Sequence, residues 1–261
     1  MKFSRKMLAV PYIVFLVLFV VLPLLVLLYF AFTNGDGQLT FTNLITFFTD
    51  PNTLGTLVYS MSLALVVTVI CLLIAYPLAL VLAHSNISKK GILLMVFVMP
   101  MWINFTLRVT ALKEILTFFE GNLAYHPFIN SVIGMTYDFL PFMILPLYNS
   151  ISRLDKSLLE AAADLGSSDM HAFWTVTFPL SVPGIISGVS MVFLPAMTNY
   201  VVLDMLYNST YIMGSLIGSY FSAHDWNNGS MIALVLLAII GVFTVASEGG
   251  SEDTYRGGAM L

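Results

Sequence analysis

Apolar runs close to bilayer length recur along this chain of 261 residues, with short polar segments between them. The hydrocarbon layer of a membrane is about 30 Å thick, and a helix needs roughly 20 mostly apolar residues to cross it. Runs of that kind cover residues 7–32, 55–83, 91–112, 128–150, 181–203 and 229–246. A backbone in lipid must satisfy its own hydrogen bonds, which for runs of this length means helix. The expected fold is therefore all-α: a polytopic membrane protein of about six transmembrane helices. Charged residues are only 9% of the chain, against about a quarter in soluble domains, and no stretch is long enough in globular composition to form a soluble domain. Residues 1–246 read as one transmembrane domain, and the polar, glycine-rich 247–261 as a disordered cytoplasmic tail.

The first run follows Lys2, Arg5 and Lys6. It exceeds the 7–15 residues or so of a secretory signal core, so an uncleaved helix is expected, bent at Pro23. Asn34-Gly35-Asp36-Gly37 marks an outside turn, with a short interfacial helix expected near 44–48. Ala75, Ala79 and Ala83 form a stripe of small residues suited to close helix packing, as do Gly184 and Gly188; a second such spacing, Gly214 and Gly218, lies in a polar segment expected outside.

Basic residues set the orientation. With a cytoplasmic amino terminus, Lys2, Arg5, Lys6, Lys89, Lys90, Arg153, Lys156 and Arg256 fall inside, and only Arg108 and Lys113 outside. Both termini and the polar interval 151–180 are thereby placed in the cytoplasm. Within that interval Asp155 or Ser157 can cap one helix ending near Leu165, with Gly166 as the left-handed residue after it. Ser167, Ser168 or Asp169 can cap a second, expected to stop at Pro179. The three alanines 161–163 keep its surface thin, so another protein can approach. The alternative is a plain connector between membrane helices.

The chain has no GxxxxGK[ST], HExxH or GxSxG pattern, its one cysteine is Cys71, and its histidines are scattered over loops. No catalytic residue and no metal site is therefore expected, and a net charge of −4 speaks against nucleic acid. Asp138 is the sharpest residue in the apolar part: a carboxylate at mid-helix costs roughly 2.5–3.5 kcal/mol to insert, so it should face a cavity or a partner. With Tyr137 beside it, it can hold a cation through charge and cation–π contacts of about 0.5–2 kcal/mol each. The alternative is a structural pairing with Arg108 or with a backbone donor. Trp102, Tyr200 and Asp204 are weaker candidates for the same pathway.

Glu160-Ala161-Ala162, three residues, Gly166, nine residues, then Val176-Thr177-Phe178-Pro179 resembles the EAA loop of permease subunits of ATP-binding-cassette (ABC) importers. The spacing agrees throughout, with Val176 and Phe178 where the family usually has Ile and Leu. The resemblance implies that Glu160, Ala161, Ala162, Gly166 and Pro179 belong to a coupling loop that docks on a separate cytoplasmic ATPase. The stretches 99–104, 140–148, 154–162, 183–188 and 194–197 are similar to one branch, the B-type permease subunits of spermidine/putrescine importers. That implies a type I importer permease in a bacterial inner membrane, lying in lipid and not itself an enzyme. Its implied partners are a second permease, two copies of an ATPase that binds the ATP and magnesium, and an extracytoplasmic polyamine-binding protein. The chain itself would need no cofactor. The alternatives are an importer permease for another small solute, or a stand-alone channel or ion-coupled carrier.

Overall fold

Prolines and capping side chains decide where the apolar runs stay helical and where they break. The computed structural model describes residues 5–84, 90–207 and 212–258, with side chains over 10–245 of these. The first span is α1 (Arg5–Leu16), a π-helical turn (Val17–Val21) and α2 (Leu22–Ala31). Then follow α3 (Thr42–Thr49) and α4 (Pro51–His84), the latter matching the 55–83 run. Next are α5 (Lys90–Val98), a 3-10 turn (Met99–Trp102), α6 (Phe105–Glu120) and α7 (Pro127–Ile151). α8 (Lys156–Asp164) and α9 (Asp169–Ala172) occupy the central interval, and a second π turn (Phe173–Thr177) leads into α10 (Phe178–Thr198). α11 (Tyr200–Tyr207), α12 (Met213–Ser222) and α13 (Trp226–Gly258) complete the order. The described residues hold no strand, only an isolated bridge between Thr33 and Leu39. Among them five helices are long and apolar enough to cross a membrane, six if one bent pair is a single span.

Both π turns end two residues before a proline, Pro23 and Pro179. Proline has no N–H and its ring crowds the carbonyl four residues back, so a widened turn lets the helix pass it without stopping. This corrects the expectation of a stop at Pro179: the helix is continuous over Asp169–Thr198. The third span also differs from the single run 91–112, because it breaks after Trp102 and turns by 97°. Pro100 cannot continue the hydrogen-bond ladder, and the Asn104 side chain accepts from the N–H groups of Thr106 (3.0 Å) and Leu107 (3.4 Å), starting a new helix. The fifth span likewise ends at Thr198, short of 203, with α11 as a separate helix.

The chain divides into two compact units, Met1–Val58 with Met213–Ile240 and Tyr59–Ile212 with Gly241–Leu261, where the sequence suggested one domain. The first unit closes on itself through the C-terminal carbonyls of α2, which have no partner within their own helix. Buried Asn43 donates to the carbonyls of Ala31 and Thr33 (both 2.9 Å), and Asn227 donates to those of Phe30 (3.0 Å) and Thr33 (2.6 Å). In the second unit α10 packs along α7, and α11 lies against α6 and α7. The stripe Ala75, Ala79, Ala83 is buried there, and Phe193 stacks on Phe243 at 4.7 Å. The expected disordered tail is helical as far as Gly258, and residues 259–261 lie outside the described chain. A helix already nucleated by an apolar span extends at the cost of one residue per added hydrogen bond.

Candidate functional site

The interval 151–180 is a hairpin in which α8 is capped at both ends and the return helix at its start. Asp155 accepts the N–H of Ser157 at 3.0 Å to start α8, and this bond holds its carboxyl below the usual carboxylate range. At the other end Gly166 has φ +79°, which only glycine adopts freely. Its N–H reaches the Ala163 carbonyl (2.9 Å) while that of Ser167 reaches Ala162 (3.0 Å), a Schellman closure. Ser168 then accepts from His171 N–H at 3.3 Å to open α9.

The hairpin has two faces. Leu159 and Ala163, four residues apart, line a cavity of about 490 Å³ together with Leu80, His84 and Phe173. Glu160, Ala161 and Gly166 are exposed, Ala162 is intermediate, and no residue of α8 is buried. α8 is thus capped at both ends while it buries no residue of its own.

What holds the return helix in place was not legible from the sequence. Tyr76 of α4 sits edge-on to Phe173 at 5.9 Å, and its hydroxyl pairs with that of Ser181 at 2.9 Å. Phe173, Trp174 and Phe178 continue the cluster, with centroids 5.0 and 5.2 Å apart in succession. The available signal was the density of aromatic residues just before Pro179, which itself is exposed in the first turn of α10.

The second candidate site lies near the midpoint of α7. Asp138 is 4% exposed and Arg108 7%, and the two form an ion pair through Nη2 and Oδ1. Arg108 is thus not an outside-loop residue. It sits in the first turn of α6, directly after the break, where its Nη1 also donates to the Pro100 carbonyl at 2.9 Å. Its guanidinium carbon is 5.9 Å from the ring centroids of both Phe105 and Tyr137. The Nε is buried without a partner, a shortfall that typically costs about 1–3 kcal/mol. Tyr137, beside the pair, is 38% exposed; the other pathway candidates are separate and more open, Trp102 at 79%, Tyr200 at 41% and Asp204 exposed on α11. Nothing in their contacts draws Trp102, Tyr200 or Asp204 onto Asp138.

Residues 75–248, which contain the hairpin and the Arg108–Asp138 pair, match the family of inner membrane components of binding-protein-dependent transport systems. The chain belongs to that family. This permease is 34% identical over 248 residues to the spermidine/putrescine transport system permease protein PotB of Escherichia coli, covering 87% of this chain and 90% of that protein. The PotB of Haemophilus influenzae is 33% identical over 264 residues, with 92% of each chain covered. Among solved structures, a bacterial ABC transporter that imports the acidic polysaccharide alginate superimposes with a TM-score of 0.71 at 15% identity, covering 93% of this chain and 94% of that one. A likeness at that identity speaks for the fold, the all-α type I importer permease. The permease is a multi-pass inner-membrane transport subunit rather than an enzyme.

Proposed function

We propose that this permease forms half of the translocation pathway of an ATP-driven polyamine importer and is driven through the hairpin 151–180. The observation that carries the coupling role is α8, rigidly capped at both ends yet with no residue buried. Glu160, Ala161, Ala162 and Gly166 form the contact with a cytoplasmic ATPase, and Pro179 lies where the return helix enters the membrane. Two ATPase copies bind the ATP and magnesium, a second permease supplies the other half, and an extracytoplasmic binding protein delivers cargo. Both termini face the cytoplasm, as the excess of Lys and Arg in those segments requires.

Polyamine cargo is supported by the identity to two PotB proteins over nine-tenths of their length. It is also supported by the buried Asp138 carboxylate, whose paired guanidinium stands 5.9 Å from the Phe105 and Tyr137 rings, surroundings suited to an ammonium group. In this reading Asp138 and Tyr137 contact the cargo, and Trp102, Tyr200 and Asp204 are further contacts along the pathway. The test is uptake of labelled spermidine and putrescine in vesicles containing the complete importer. Uptake should require ATP on the cytoplasmic side, and Glu160→Arg should abolish it while the membrane subunits still assemble. ATP-independent uptake, or full uptake by the Glu160→Arg importer, would reject the coupling role.

A further inference from the structure

The Arg108–Asp138 pair is incompletely satisfied in a way that suits exchange. Of the carboxylate oxygens only Oδ1 is engaged, and among the described residues no hydrogen bond reaches Oδ2. The guanidinium bonds through Nη1 and Nη2 and leaves Nε buried and unpartnered.

The surroundings of the guanidinium are those an organic ammonium would seek. A carboxylate lies at one end, and the faces of Phe105 and Tyr137 both stand 5.9 Å away. Tyr137 is 38% exposed, so this cage opens on one side. Arg108 also lies in the first turn after a 97° break, where its side chain can withdraw without unwinding α7.

We propose that Arg108 is a tethered counter-cation, which holds Asp138 until an ammonium group of the cargo displaces it. This rests on the polyamine reading above and makes Arg108 a specificity-determining residue. Exchanging cation for cation keeps the carboxylate neutralised at every stage, so no bare charge is exposed to the apolar interior. The withdrawn guanidinium retains the Pro100 carbonyl as acceptor. A neutral or anionic solute cannot displace Arg108, and the path stays closed to it.

The test compares four complete importers, wild type, Arg108→Gln, Asp138→Asn and the double variant, for ATP-driven spermidine uptake normalised to the amount in the membrane. Exchange predicts that Arg108→Gln, which removes the competing cation, lowers the spermidine KM severalfold relative to wild type in the importers that reach the membrane. Uptake by Asp138→Asn falls roughly tenfold or more, the loss of one charged contact, and that by the double variant stays as low. A structural pair gives the opposite pattern: both single variants fail, and the double, with no charge left unpaired, recovers. That pattern overturns the proposal, as does an Arg108→Gln importer as inactive as Asp138→Asn. If Arg108→Gln does not accumulate, Arg108→Lys carries the same test: a spermidine KM no higher than wild type is expected, and a loss of uptake equal to that of Asp138→Asn overturns the proposal. A wild-type importer that takes up no polyamine sinks the polyamine reading itself; wild-type uptake with recovery in the double variant sinks only the exchange.

Discussion

The seam between α7 and α10 gives a prediction whose size can be worked from geometry. A Cβ placed on Gly184 would lie 2.5 Å from Ser150 Cβ and 3.0 Å from the Pro146 carbonyl oxygen. One on Gly188 would lie 2.6 Å from Met143 Sδ and 3.4 Å from the Met143 carbonyl oxygen. Carbon atoms rest about 3.5–4.0 Å apart, so both substitutions require movement. The difference is in what can move. Met143 Sδ is near the end of a flexible thioether, whereas Ser150 Cβ and a carbonyl belong to α7 itself, and the helices must separate. Overpacking of this kind costs about 1–3 kcal/mol, offset by the roughly 1 kcal/mol that alanine gains over glycine inside a helix. Gly184→Ala should therefore lose up to about 2 kcal/mol net and Gly188→Ala close to none. For a chain of this size that is a Tm drop of about 2–4 °C per kcal/mol, read by thermal unfolding of the purified importer. A Gly184→Ala protein that melts with or above Gly188→Ala would refute this account of the seam.

The remaining predictions concern caps. At Gly166 a Cβ would meet nothing within 4 Å, so Gly166→Ala is opposed by the positive φ alone, about 1–2 kcal/mol, and should reduce cargo-stimulated ATPase activity more than it reduces assembly. Asn43→Ala strips a donor from the carbonyls of Ala31 and Thr33; a loss of about 1–3 kcal/mol in thermal stability is expected, with Asn227→Ala smaller because Asn227 is only half-buried. The Asp155 carboxyl is held below the ordinary carboxylate range by the Ser157 N–H, so its cap contributes above that range and is lost as pH falls through the lowered value. The protection factors of the α8 amides, exchange rates divided out for their intrinsic pH dependence, should thus fall on acidification in the wild type and stay flat in Asp155→Asn.

The membrane helices were largely legible because apolar length alone dictates them: 55–83 and 128–150 are the interiors of Pro51–His84 and Pro127–Ile151. The hairpin was legible for a different reason. Its ends are fixed by local chemistry, Asp155, Gly166 and Ser168, that acts within a few residues. What stayed hidden depends on distant partners or on competition between local signals. Pro179 reads as a helix stop, but a π turn before it accommodates the ring. Asn104 reads as one polar residue in an apolar run, yet together with Pro100 it ends one helix and begins another. Arg108 was counted as an outside charge because nothing in the sequence links it to Asp138, although the pairing was one of two readings offered for that aspartate. The asparagine caps on α2 bridge nearly the whole chain, from Asn227 to Phe30 and Thr33, and no periodicity records them.

The central claim, that the hairpin is gripped from the cytoplasm by a partner that supplies the energy, is tested most directly by a crosslink. The chain's single cysteine, Cys71, is buried, so Ala161→Cys offers one accessible thiol on the exposed face of α8. In the assembled importer this position should crosslink to the nucleotide-binding subunit, with a yield that changes when ATP is added. Modification of that thiol by a membrane-impermeant maleimide from outside the cell, with no crosslink to the ATPase, would contradict the account.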